Sequence, residues 1–236
     1  MRILFCLNDD IWSFLVYKKL AVTYPNHNVL LSKSSFVLDE ELSKLENFLD
    51  GKIKPNWYFN SYVEDINTQY YKELASKCDI IVSVRFLKIF DDEFCTIPKH
   101  GIINIHSGLL PFYRGVVATF WAMLNQEKEH GYAIHYIDDK KIDFGRMIGN
   151  LIISDDNINY NSMANILYHK YLDASNKIVE ILKKVEGNQE VQTTQLSKGH
   201  YYSKPSPKDI EKFKELGLNF CTDDDYLLLL ALLSSL

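Results

Sequence analysis

Short runs of consecutive apolar residues alternate along most of the chain with stretches where apolar residues return every three or four positions. Consecutive runs mark strands buried on both faces, and the three-to-four spacing marks helices with one buried face. Residues 2–7 read as a first strand ending at the turn Asn8-Asp9-Asp10. The helix after it spans 11–20, with Ile11, Leu15 and Val16 on one face. Residues 28–31 predict a second strand, and 39–49 an amphipathic helix through Leu42, Leu45, Phe48 and Leu49. A loop carrying Pro55 and Trp57 interrupts the pattern before a helix over 63–76. Residues 79–84 and 101–106 predict two buried strands, 118–125 a helix, 132–137 and 145–153 further strands, and 162–185 a long helix stopped by Gly187-Asn188. Beyond it, 189–203 predicts a two-stranded hairpin turning at Lys198-Gly199, and Pro205 to Asp209 opens a short helix.

This alternation implies an α/β fold with a doubly wound, mainly parallel sheet over residues 1–187 and a small hairpin, helix and apolar tail over 188–236. Ligands of such sheets sit at the carboxyl ends of the strands, which directs attention to Asn104 and His106. No G-x-G-x-x-G follows the first strand, so a dinucleotide-binding dehydrogenase loses its main support. The composition, 47% hydrophobic and 24% charged, is that of a folded globular chain. A net charge of −5 without a dense Lys/Arg run argues against a nucleic-acid partner. The four cysteines, Cys6, Cys78, Cys95 and Cys221, lack C-x-x-C spacing, which suggests no zinc site, no disulfide framework and a reducing cytoplasm. Residues 1–7 are too short for a signal segment and 226–232 too short for a membrane span. The latter is expected to pack against the long helix or in a homodimer interface.

Asn104 and His106 are two apart on one strand, so they share a face while Ile103 and Ile105 take the other. Ser107 to Pro111 and then Phe112-Tyr113-Arg114-Gly115 form an irregular loop in which Pro111, Arg114 and Gly115 set the shape. Arg114 either pins the loop or touches an anion, the first being favoured. Asp143 lies in Ile142-Asp143-Phe144-Gly145. A carboxylate beside an imidazole orients the ring and raises its pKa, and an amide can donate to an oxyanion. Asn104, His106 and Asp143 would together support acyl transfer without a covalent nucleophile.

The stretches 103–106 and 109–115 with Asp143-Phe144-Gly145 resemble the N10-formyltetrahydrofolate-dependent formyltransferases, over roughly residues 1–185. The resemblance implies a Rossmann-like domain in which Asn104, His106 and Asp143 are the catalytic set. It implies N10-formyltetrahydrofolate held by the main chain at Arg85-Phe86-Leu87-Lys88 and Ile137-Asp138-Asp139. Ser107 stands where many relatives have proline. The segment after Gly187 is short for the extra barrel of the tRNA-modifying branch. The 106–115 stretch, Thr119 to Ala122 and Gly199 to Ser203 look more like enzymes that formylate nucleotide-linked amino sugars for surface polysaccharide. The implied substrate is dTDP-4-amino-4,6-dideoxyglucose, with a dTDP-3-amino sugar or glycinamide ribonucleotide as alternatives and a non-catalytic binding module as the rival class. Candidate sugar-nucleotide contacts are Asn8, Asp9, Asp10, Trp57, Tyr201 and Tyr202. His135 reads as a packed structural histidine.

Overall fold

A computed structural model describes residues 1–34, 37–53 and 62–235, with 50–53 and 232–235 as backbone only. Three apolar runs make the middle of its main sheet: β1 (Ile3–Asn8), β3 (Ile80–Val84) and β4 (Ile102–His106). All residues of β1 and β3 are buried, as strands covered on both faces require. Adding β2 (His27–Ser32), β6 (Gly131–Tyr136) and β7 (Met147–Ile152) gives six strands in the order β2-β1-β3-β4-β6-β7. The first four are parallel; β6 and β7 run antiparallel to their neighbours. The half-buried β2 and β7 are the edges.

Strand alternation separates two apolar layers. Ile3, Phe5, Leu7, Val82, Ile103 and Ile105 face α1 (Ile11–Thr23) and α6 (Met163–Glu186). Leu4, Cys6, Ile81 and Ile102 face the other way, onto α3 (Gln69–Ser76) and α4 (Asp92–Cys95). Asn104 and His106 alternate with the first set, so they project on the α3–α4 side of the sheet. Asp10 caps α1 by accepting the Ser13 N–H at 2.8 Å, and Ser162 caps α6. The turn after β1 is thus built around the helix it starts.

Some boundaries differ from the sequence reading. The helix expected from 63 begins only at Gln69. Asp65 Oδ1 accepts the Asn67 N–H, and the Asn67 amide serves Ile89 and Asp91, so local side-chain bonds displace the first helical turn. The hairpin expected over 189–203 is not formed among the described residues. Thr194 bridges Met147, and β8 (Tyr201–Tyr202) pairs in parallel with β5 (Arg114–Gly115). Gly199 stands at this position because a Cβ there would lie 1.8 Å from the Pro111 carbonyl oxygen. It permits a close approach to the loop after β4 rather than a turn.

The C-terminal part shares the core of the rest. The Phe213 ring on α7 (Pro207–Glu215) stacks on Phe120 of α5 (Ala118–Leu124), with Phe220 beside both. The helix α8 (Asp223–Ser235) packs on α6 and on α2 (Glu40–Ile53). The Asp225 carboxylate accepts from Ser162, Asn165 and Thr222 and fixes where α8 starts. Of the apolar tail, Leu229 is in the core of its own chain with Tyr226 and Leu230 packed against it, whereas Leu227 is exposed. Among the described residues no helix is long and apolar enough to cross a membrane.

Leu229 is fully buried whereas Leu227 is 68% exposed. In urea unfolding, Leu229→Ala is expected to cost about 2–4 kcal/mol. Leu227→Ala should stay within about 0.5 kcal/mol. Equal effects would mean that α8 does not dock in this way.

Candidate active site

The end of β4 lies against β6 in antiparallel register, with Asn104 opposite His135 and His106 opposite Ala133. Directly opposed residues bring their side chains within reach. The Asn104 amide nitrogen stands 3.1 Å from His135 Nε2. His135 Nδ1 is 2.8 Å from the Tyr136 carbonyl, which can only accept, so Nδ1 carries the proton and Nε2 accepts from Asn104. That arrangement fixes the amide orientation and leaves its second N–H for a ligand. His135, read from sequence as packing, is 1% exposed but hydrogen-bonded into the site. Its position opposite Asn104 was the available signal, and only strand pairing turns it into proximity.

Asp143 arrives from the segment between β6 and β7. Its Oδ1 lies 3.4 Å from both His106 Nδ1 and His135 Nε2, and its Oδ2 accepts the Gly115 N–H at 2.8 Å. Asp143 has a positive φ of 50°, and the Arg114 guanidinium donates to the carbonyls of Ile142 and Asp143. Arg114 also lies over the Phe144 ring. Gly145 completes the turn, since a Cβ there would sit 1.8 Å from the Tyr136 carbonyl oxygen. The Arg114-Gly115 and Asp143-Phe144-Gly145 motifs, far apart in sequence, are thus two halves of one clamp on the carboxylate.

Burial pushes the Asp143 carboxyl up, but His106, His135 and the Gly115 N–H hold it well below the usual range, at about 2. It stays ionised. For His106 the expected effect of a neighbouring carboxylate is outweighed: burial lowers its pKa, opposed by Asp143 and the Tyr113 carbonyl. His106 Nε2 is 2.5 Å from that carbonyl oxygen, so it donates. In the neutral ring, Nδ1 and Asp143 Oδ1 then face each other as two acceptors. A proton delivered there would satisfy both, whereas burial disfavours the resulting cation. This competition makes the pair a place where a proton can arrive and leave.

The loop after His106 is held at four points. The Asn150 amide grips Leu110 through both its N–H and its carbonyl. The Tyr113 hydroxyl donates to Glu127. Lys170, missed by the sequence reading, donates to the Ser107 carbonyl and to Thr119. Pro111 contacts Gly199, as described above.

The remaining candidates divide. Phe86 and Ile137 both border the apolar cluster on the α3–α4 side, so the two segments expected to hold folate share one wall. Within them Arg85 pairs with Asp10 at 2.7 Å, Asp138 with Arg146, and Asp139 with Lys141, while the Leu87 N–H donates to Ser32. Leu87 is exposed and Lys88 partly so. Asn8 donates to Asp10, so the side chains of Asn8 and Asp10 are buried and spent on Arg85, the α1 cap and each other rather than offered to a ligand. Asp9 accepts from the Tyr62 hydroxyl. Tyr202 is stacked between Tyr113 and Trp121 while Tyr201 is half exposed. Trp57 lies outside the described residues. No group of three or more His, Cys, Asp or Glu among the described residues has a metal-holding arrangement.

A family model described as formyl transferase matches residues 38–178. The bifunctional polymyxin resistance protein ArnA of Wigglesworthia glossinidia brevipalpis is 34% identical over 154 residues, covering 63% of this chain and 23% of its own. The chain spans less than half the length of the curated relatives it matches, methionyl-tRNA formyltransferases among them. Among solved structures, a 4-N formyltransferase from Francisella tularensis superposes with a TM-score of 0.62 at 17% identity, over 86% of this chain and 76% of that one. An N-formyltransferase from Helicobacter canadensis, in complex with folinic acid and dTDP-3-aminofucose, does so with a TM-score of 0.60 at 20% identity, over 94% and 84%. At such identities these two likenesses are likenesses of fold.

A carboxyl held at about 2 in the folded protein stabilises it above the unfolded value near 4 and loses that contribution as pH falls toward 2. Relative to Asp143→Asn, which cannot titrate, the protein should lose about 1 kcal/mol of urea-unfolding stability between about pH 6 and about pH 3, on the way to about 2 kcal/mol when fully protonated. A difference independent of pH would contradict the assigned charge.

Proposed function

Because the chain belongs to the formyl transferase family, we propose that it transfers a formyl group from N10-formyltetrahydrofolate to the amine of a nucleotide-linked amino sugar. The observation that carries this reading is the convergence of His106 and His135 on the buried Asp143 carboxylate, with Asn104 bound to His135, at the end of a central strand. The donor set suits a formyl carbonyl: a fixed amide N–H, a proton-accepting pair and no covalent nucleophile in the network. The apolar wall at Phe86 and Ile137 suits the flat face of a pterin.

N10-formyltetrahydrofolate supplies the one-carbon unit. Asn104, oriented by His135, donates its free N–H to the oxygen on which negative charge gathers as the amine attacks. The proton lost by the amine is taken up between His106 Nδ1 and Asp143 Oδ1, which are arranged to receive one, and would pass to the departing folate nitrogen as its bond to the formyl carbon breaks. Asp143 remains the anion throughout, and Gly115 and Arg114 keep it in place. Water has little access, since His106 and His135 are both more than nine-tenths buried.

The acceptor class is supported by the solved neighbours, one a 4-N formyltransferase and another holding dTDP-3-aminofucose. We take dTDP-4-amino-4,6-dideoxyglucose as the first acceptor to try. A mass-shift screen of amino sugar nucleotides should yield a formylated product that depends on the folate donor. Equal turnover with glycinamide ribonucleotide would overturn the acceptor assignment. His106→Asn is expected to lower turnover at least about a hundredfold, and near-normal rates would remove His106 from the reaction.

A further inference from the structure

One buried cation stands behind the centre without a counter-charge. Lys170 lies on the core face of α6, 1% exposed, and reaches the sheet from the side opposite to His106. Among the described residues no carboxylate lies within ion-pair distance of its ammonium. Its acceptors are the Ser107 carbonyl at 2.8 Å and the Thr119 hydroxyl at 3.0 Å, and Thr119 itself donates to the Ser107 carbonyl at 3.1 Å. Ser107 follows His106 directly, so the ammonium grips the carbonyl of the residue next to the imidazole.

Stability alone does not account for this choice. An unpaired buried ammonium carries a desolvation cost that a methionine of similar shape would avoid. Burial is felt by Lys170 itself, whose pKa falls to about 7. The ionisable groups that act on His106 are Asp143, which favours its protonated form, and His135 and Lys170, which oppose it. Lys170 acts in the same direction on His130, just before β6.

We infer that Lys170 is a positioning residue of this centre, fixing the backbone that leaves His106 and, through its charge, keeping the His106 imidazole a neutral proton acceptor. This rests on the formyl-transfer reading for its role in turnover, while its effect on His106 stands without it. The two parts of the molecule contribute separately: β4 brings the imidazole from one face of the sheet, and α6 brings the cation from the other.

The test is the pH titration of His106, followed by NMR in protein labelled with 15N-histidine and assigned by loss of the signal in His106→Gln. In Lys170→Met the His106 midpoint should rise by about one pH unit, because a like charge has been removed. With the amino sugar acceptor, the same variant should show turnover at least about tenfold lower, KM changed by less than about threefold, and the acid limb of its pH profile moved upward. Thr119→Val keeps the lysine but removes one of its acceptors and should move the midpoint the same way by less; it carries the test if Lys170→Met does not fold. An unchanged His106 midpoint in a folded variant overturns the proposal. Should the unmodified protein formylate no amino sugar, the functional reading fails, and the titration still decides the role of Lys170.

Discussion

A carboxylate almost out of reach of water, shared by two imidazoles, is the constraint on which the site depends. Asp143 is held there by the Gly115 N–H, which donates to one of its oxygens, with a ring nitrogen of each histidine 3.4 Å from the other. Each of those partners makes its own structural demand. Gly115 must lie beside Asp143, which requires Arg114 to tie the two loops together and β8 to hold β5. His135 must sit opposite Asn104, which requires β6 to run antiparallel to β4 in this register. The change from parallel to antiparallel strands at β4 therefore shapes the site, since it brings a second histidine to the carboxylate.

The same arrangement separates two tasks. Asn104 is oriented by His135 and keeps its second N–H outside that bond, as its proposed role of donor to developing negative charge requires. His106 is held at Nε2 by the Tyr113 carbonyl and shares its other nitrogen with Asp143. Burial and Asp143 pull the imidazole in opposite directions, and a group balanced in this way is suited to moving a proton. The polar residues around the turn after β1 behave differently: Asn8, Asp10 and Arg85 are closed on one another and serve to cap α1 and fix the end of β3.

Much of the fold was legible because it is local. The apolar runs of β1, β3 and β4 and the spacing in α1 and α6 are written within single segments, and the polar pair ending β4 stands out against its apolar neighbours. The residues that escaped notice depend on distant partners. His135 looks like any inward-facing strand residue until β6 is paired with β4, and Lys170 like an ordinary polar position on a long helix until α6 is laid on the sheet. Gly199 resembles a turn residue in sequence, yet it answers to Pro111, which packs against it from the loop after β4. Arg114 and Asp143 are each visible in their motifs, but that one holds the other is a property of the fold.

The ionised state of Asp143 is the point where the account is most exposed. Infrared difference spectroscopy of the protein against Asp143→Asn reads it directly, because a carboxylate and a protonated carboxyl absorb in separate regions. Between about pH 4 and pH 8 the difference should contain carboxylate bands alone, with the protonated band growing only as pH approaches about 2. A protonated carboxyl band at neutral pH would contradict the account, since the proton it places between His106 and Asp143 during turnover would already be there at rest.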